Sequence, residues 1–292
     1  MIISRLAGGL GNQMFQYAAG RALAYCRGTS LGLDLSALRS RTSSLTMRDY
    51  ELDCFSITGE LVDSKNLLLG DIASIFPSLF GLINRKKVFK ESSIDYIPNF
   101  FTCFDETLLI GYWQSHRYFI SIAESIYEEF QPRNPFCIEN AEFAKILIDD
   151  EHAVALHVRR GDYLTLPSAS SFHGSLGNDY YRQAIKLAID RDDKSNIIIF
   201  SDDMEWCRHH FNGLINVHFA PSPGNAQAWE DLVLMSLCRS NVIANSSYSW
   251  WSAWLGDMRY GIRNRLVIAP KRWFLRQAYC ASDRFPAHWA LI

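Results

Sequence analysis

Apolar residues along this chain fall into short continuous runs that alternate with helical stripes, and that alternation predicts an α/β fold. Ile2-Ile3 reads as a short strand, Ala7 to Gly11 as a turn, and Asn12 as the N-cap of a helix reaching about Arg27. In that helix Met14, Ala18, Ala22 and Cys26 share one face and Phe15, Ala19 and Leu23 lie beside it, so it is largely buried. Leu31 to Leu35 is the next strand. From Arg39 to Asn99 the pattern is less regular, with a short helix expected at Ser64 to Leu69 and the basic Arg85-Lys86-Lys87, read as solvated surface. Thr107 to Gln114 is a strand ending in aromatic and amide groups, and a helix from His116 to about Phe130 follows it.

Pro132-Arg133-Asn134-Pro135 breaks the chain, and a helix from about Glu139 to Asp149 precedes a cleaner alternation. Strands are expected at Ala153 to Val158, Asn196 to Phe200, Val217 to Phe219 and Asn241 to Ala244. Between and after them the helices run Asp179 to Asp190, Met204 to Phe211, Ala226 to Cys238 and Ser249 to Leu255. The expected organisation is two Rossmann-like domains facing across a cleft, 1–150 and 151–292, with the last helix free to pack back on the first domain. At 292 residues and 48% hydrophobic, the chain can bury cores of that size.

A net charge of −2 supplies no field to hold a polyanion, which argues against a nucleic-acid partner. The seven cysteines are scattered, mostly in apolar runs, and form no Cys-x-x-Cys pair; they read as reduced thiols of a cytoplasmic protein. Neither a signal peptide nor an apolar run of roughly 20 residues is found, so any membrane contact is expected to be peripheral.

Three strands of the second domain end in polar clusters, which a parallel sheet brings to one edge. His157-Val158-Arg159-Arg160-Gly161-Asp162-Tyr163 sets two guanidiniums beside one acid. Asp202 and Asp203 follow a strand where a carboxylate can accept from a purine edge or simply cap the next helix. Asn245, Ser246 and Ser247 lead into a helix whose first N–H groups and hydroxyls suit a phosphate, or ordinary capping. Together they describe a nucleoside-diphosphate pocket in which Arg159 and Arg160, forking across phosphate oxygens, do the work of a metal ion.

Other readings fare worse. Gly9-x-Gly11 with Asp34 after the second strand suggests a dinucleotide fingerprint, but Met14 stands where a third small residue is needed, and no Gly-Lys-Ser/Thr makes a P-loop. Asp190-Arg191-Asp192 reads as a solvated helix end, and His209-His210 are neighbours that point apart, so no metal set is expected. Tyr112, Trp113 and Gln114 suit a sugar, with core packing as the competing role of Trp113. Trp250 and Trp251 read as core.

Six stretches in register carry a resemblance. Gly8-Gly9-Leu10-Gly11-Asn12-Gln13-Met14-Phe15-Gln16-Tyr17-Ala18, Gly111 to Ser115, His157 to Tyr163, Asp231 to Cys238, Asn245-Ser246-Ser247-Tyr248-Ser249-Trp250-Trp251 and Val267 to Pro270 resemble the bacterial α-1,2-fucosyltransferases in order and spacing. The resemblance implies a GT-B architecture and metal-independent, inverting transfer of L-fucose from GDP-β-L-fucose to the 2-hydroxyl of a terminal β-galactose, in O-antigen synthesis. That setting implies a free or lipid-linked glycan acceptor at the cytoplasmic face of the inner membrane. It assigns the donor to His157, Arg159, Arg160, Asp202 or Asp203, Asn245, Ser246, Ser247, Gly9, Gly11 and Asn12, with Arg159 on the β-phosphate. Gln13, Tyr112, Trp113, Gln114 and His173 would face the acceptor. Asp162, the one carboxylate of the central motif, is the candidate general base; it could instead pin an arginine, and His173 is a second candidate base. The stretch Leu164 to Gly177 is expected to set acceptor identity. Ser252 follows the two tryptophans where the family often has glycine.

Overall fold

The computed structural model describes residues 1–39, 48–62, 88–161, 174–263, 265–274 and 282–292. Ser64 to Leu69, Arg85 to Lys87, Asp162 and His173 lie outside them. The chain divides into two units, Met1–Arg133 with Ser282–Phe285, and Asn134–Ala281 with Pro286–Ile292.

The first unit contains β1 (Ile2–Arg5), α1 (Leu10–Arg27), β2 (Leu31–Asp34), β3 (Glu60–Val62), β4 (Val88–Lys90), β5 (Leu108–Ile110) and α2 (Ala123–Glu129). Its strands form a parallel sheet in the order β3-β2-β1-β5-β4. The expected N-cap at Asn12 is displaced. Gly9 caps α1, and the helix ends at Gly28, whose left-handed φ of 61° lets its N–H bond the last carbonyls. The helix expected from His116 is α-helical only from Ala123, because two 3₁₀ turns at His116–Tyr118 and Ile120–Ile122 come first.

The second unit contains α3 (Ile138–Asp149), β6 (Ala153–Val158), α4 (Asn178–Arg191), β7 (Asn196–Ser201), α5 (Met204–Phe211), β8 (Val217–Phe219), α6 (Ala228–Leu237), β9 (Ser240–Val242), α7 (Ser247–Tyr260), β10 (Val267–Ala269) and β11 (Ala290–Leu291). The parallel sheet runs β11-β10-β9-β6-β7-β8. The division falls at Arg133, before the expected 150, because α3 packs with this unit. Ala144 and Leu147 join the apolar cluster of Leu234, Met235 and Cys238, while Asn140 Nδ2 donates to Glu230 Oε2 at 2.9 Å.

In each sheet the chain builds outward on one side and then returns to the other side of its first strand. The crevices at the carboxyl ends of β1/β5 and β6/β9 are therefore topological switch points, where open α/β sheets take ligands.

The C-terminal stretch of the second unit is held by a buried ion pair. Arg265 Nε donates to Asp257 Oδ1 at 2.9 Å, Trp289 Nε1 donates to Asp257 Oδ2 at 2.8 Å, and His288 Nε2 lies 2.8 Å from that same oxygen. Gly256 is required there, since a Cβ would stand 2.4 Å from Arg265 Nη2. Removing the carboxylate leaves a guanidinium whose side chain is only 1% exposed without its counter-charge. Asp257→Ala is expected to lower stability by about 3–5 kcal/mol, read as a fall in the urea midpoint; a loss under about 1 kcal/mol would contradict the role given to the pair.

Candidate active site

β6 ends where two like charges must be accommodated. Arg159 Nη1 sits 2.9 Å from Asp202 Oδ2, and Arg160 Nε donates to Asp203 Oδ2 at 3.1 Å. Asp202 Oδ1 also accepts from the Arg160 N–H at 2.9 Å, and Asp203 Oδ1 caps α5 by accepting from Trp206 N at 3.1 Å. All four carboxylate oxygens at the end of β7 are thus engaged: the capping expected as the alternative to base reading is made by Asp203, and the pairing of both acids with the arginines was not anticipated. Gly161 lets the chain pass, since a Cβ would meet Asp202 Oδ2 at 2.9 Å. The Arg160 guanidinium lies 4.2 Å over the Trp206 ring, which also stacks on His210 at 4.0 Å and meets Tyr181 and Phe211 edge-on. Both arginines keep part of their surface in solvent.

Across the crevice, Ser246 caps α7, its hydroxyl accepting from Tyr248 N at 3.3 Å, and Ser247 opens the helix. The helix start therefore lies two residues earlier than expected and presents its N–H groups at the switch point. Asn245 is buried and donates through Nδ2 to the carbonyl of Gly174 at 3.0 Å, fastening the loop that leads into α4.

His157 is buried between these elements, its ring 5.6 Å from that of Tyr248. Burial, reinforced by Arg159, pushes its pKa down to about 3, so the imidazole is neutral. The Tyr248 hydroxyl donates to the carbonyl of Ala228 in the first turn of α6. Asp231 stands one turn further along the same helix face. Burial, and then Glu230, raises the Asp231 carboxyl to about 6; among the described residues it has no hydrogen-bond partner. Sequence reading passed over it because an acid in the first turn of a helix is ordinary.

In the first unit, Gly8 takes a φ of 76° and the Leu10 N–H donates to Glu51 Oε2 at 3.0 Å. A carboxylate already occupies the place a pyrophosphate would need at this helix start, which disposes of the dinucleotide reading. Asp34 is likewise spent, accepting from Arg5 Nε at 2.7 Å and from Ser36. Gly9 is open, with nothing within 4 Å of a Cβ built on it, whereas Gly11 is buried inside α1.

Two expected acceptor contacts are corrected here. Gln13 is fully buried; its Nε2 donates to the carbonyls of Gly8 and Asp49, each at 2.9 Å, and its Oε1 accepts from Glu51 N at 3.0 Å. It therefore shapes the glycine turn and offers nothing to a sugar. Trp113 is also fully buried, stacked 5.8 Å from Phe89 and packed on Phe100 and Tyr118. Tyr112 remains partly exposed, and Gln114 Nε2 donates to Asn12 Oδ1 at 2.7 Å. The turn that presents them rests on Glu91, which accepts from the N–H groups of Tyr112 at 2.7 Å and Trp113 at 2.9 Å. Nothing in the irregular sequence around Glu91 signals that role.

The neutral His157 carries a pH dependence. The unfolded chain protonates this imidazole near 6.5 and the folded chain near 3, so its contribution to stability is complete above pH 6.5 and is lost as pH falls toward 3. The loss should total roughly 4–5 kcal/mol, and His157→Gln should flatten the fall of the urea midpoint between pH 7 and 4. A ring titrating near 6 in the nuclear magnetic resonance spectrum of the folded protein would contradict this.

Residues 86–292 match the model of the family described as Glycosyl transferase family 11. Over its full length the chain is 34% identical to an alpha-1,2-colitosyltransferase of Escherichia coli, spanning 99% of that protein. It is also 34% identical to the O-antigen biosynthesis glycosyltransferase WbnK of Escherichia coli, over 93% of this chain and 94% of that one. A galactoside alpha-(1,2)-fucosyltransferase 1 of Plecturocebus brunneus is 33% identical over 37% of this chain and 30% of its own length. Among solved structures, NodZ alpha-1,6-fucosyltransferase soaked with GDP-fucose superposes with a TM-score of 0.51 at 15% identity, over 87% of this chain and 91% of that one. At that identity the likeness speaks for fold alone, which is of the GT-B type that the resemblance implied. With two parallel α/β units, a family match covering most of the chain and full-length relatives, the protein is a glycosyltransferase and belongs to glycosyl transferase family 11.

Proposed function

We propose that the chain transfers L-fucose from GDP-β-L-fucose, with inversion, to the 2-hydroxyl of a terminal β-galactose on an O-antigen-type glycan. The observation that carries this reading is the pair Arg159 and Arg160, fixed by Asp202 and Asp203 across the switch point from the Ser246 helix start. Breaking the bond to the anomeric carbon develops negative charge on the β-phosphate and positive charge on the sugar ring. Donors already held in place stabilise the former without reorganising. Arg159, held through one Nη by Asp202, would turn its guanidinium to the phosphate, and Arg160 supports it from the Trp206 platform.

Because Asp202 and Asp203 are occupied, reading of the guanine edge passes to Asp231. Its carboxylate is ionised at pH 7, has no hydrogen-bond partner among the described residues and shares a helix face with the carbonyl that anchors Tyr248. Two N–H donors of guanine would satisfy it. Asp162 remains the proposed general base, with His173 as the alternative. Side-chain neutralisation of the diphosphate makes a metal ion unnecessary on this reading. No described helix is long and apolar enough to cross a membrane; a lipid-linked acceptor would place the enzyme at the cytoplasmic face of the inner membrane. A second donor is favoured by the full-length relative named as a colitosyltransferase. Colitose is fucose without its 3-hydroxyl, so the two differ by one hydrogen-bonding group.

Purified protein given GDP-fucose and lactose in EDTA should release GDP and form fucosyl-lactose. Turnover restored only by added divalent metal would remove the arginines from their role, and a clear preference for GDP-colitose would replace the donor. Arg159→Ala should lower kcat by about 10²–10³, with Arg159→Lys recovering little of it, because an ammonium lacks the fork. A variant within about tenfold of the parent would exclude Arg159 as the phosphate anchor.

A further inference from the structure

Trp206 lies in the first turn of α5, just after the two aspartates that end β7. Asp203 ties it to Arg160: Oδ1 accepts from the Trp206 N–H at 3.1 Å, and Oδ2 accepts from Arg160 Nε at 3.1 Å. The Arg160 guanidinium covers one face of the indole at 4.2 Å. His210 lies 4.0 Å from the same ring and within 24° of parallel to it. Two groups that close to one ring cannot share a face, so the imidazole covers the other. Tyr181 and Phe211 meet the indole edge-on.

With both faces covered, the indole is no platform for a purine, and its work is mechanical. An aromatic ring attracts a cation over its face, so when the indole plane tilts the guanidinium must follow or give up the contact. Asp203 fixes the backbone of Trp206, and the edge contacts limit sideways travel of the ring; the plane itself is set by what stacks on the far side. His210 stands one turn further along α5, at i+4, which brings its ring over that of Trp206. Its Nδ1 lies 2.9 Å from the Trp206 carbonyl, and because a carbonyl only accepts, Nδ1 carries the proton. The carbonyl of His210 accepts in turn from Arg182 Nη2 at 2.9 Å, which ties the end of α5 to α4.

We propose that His210 is a positioning residue: by backing the far face of Trp206 it fixes the plane of the indole, and hence where the Arg160 guanidinium stands at the end of β6. The proposal rests on reading Arg160 as a support of the donor phosphates.

Two substitutions separate the imidazole ring from its hydrogen bond. His210→Phe keeps a ring to stack and loses Nδ1, whereas His210→Asn keeps an N–H able to reach the carbonyl one turn back and loses the ring. Histidine, phenylalanine and asparagine have similar helix propensities, so α5 is supported alike in both. GDP affinity, measured by calorimetry, should fall about three- to fivefold in His210→Asn and hold in His210→Phe, with acceptor KM unchanged in both. The reverse order would assign the effect to the helix hydrogen bond and overturn the proposal. Equal losses in the two variants, no loss in either, or an acceptor KM that rises in step would overturn it as well. The Arg160 Nε–H resonance, shielded by the indole ring, reports the geometry without turnover and should move in His210→Asn while staying in place in His210→Phe. A parent protein that binds no GDP therefore sinks the functional reading, while the role of His210 is judged on that resonance.

Discussion

Two guanidiniums on adjacent residues at a strand end repel each other unless counter-charges are fixed beside them, and much of the second unit serves that need. The end of β7 brings Asp202 and Asp203 alongside, each holding one arginine and each spending its second oxygen on the backbone, one at Arg160 and one at the start of α5. Such pairs, partly solvated, add little to stability. Their value is geometric: the cations are held aimed at the strand end, and on the function proposed a diphosphate would meet them in place.

The same economy of position appears twice. Both sheets reverse their order next to the first strand laid down, and in both the crevice so formed collects polar groups from two loops. In the second unit the collection is two arginines held by two aspartates, with a helix start opposite. In the first it gathers the amides of Gln114 and Asn12 with the buried Arg284 behind them, and a carboxylate, Glu51, blocks its helix start against anions. On the function proposed, the edge in the second unit would take the phosphates and that in the first unit hydroxyls, the division of labour a glycosyl transfer requires.

The parts of this plan that rest on local pattern were legible in the sequence. Strands such as Ala153–Val158, continuous in apolar residues, and helices such as Met204–Phe211, bounded by an acidic cap, announce themselves through periodicity and capping. Arg159, Arg160, Ser246 and Ser247 were legible because they follow such strands. What sequence could not weigh was competition for partners. Asp202 and Asp203 look like free acids until the arginines claim them, and Gln13 looks like a sugar ligand until its amide is found tying three backbone groups. Glu91 and Arg284 lie in segments without periodicity, and Arg284 meets Gln114 across a separation of 170 residues, so no local signal could have joined them. Asp231 was hidden by its ordinariness at a helix start, and only partial burial with no hydrogen-bond partner among the described residues sets it apart.

A structure of the protein with GDP bound tests the central claim most directly. The account predicts the β-phosphate in the β6/β9 crevice, within about 3 Å of Arg159 and facing the Ser246–Ser247 helix start, with the guanine edge at Asp231. A diphosphate seated away from Arg159, or a guanine held by Asp202 and Asp203 with their arginines released, would contradict it.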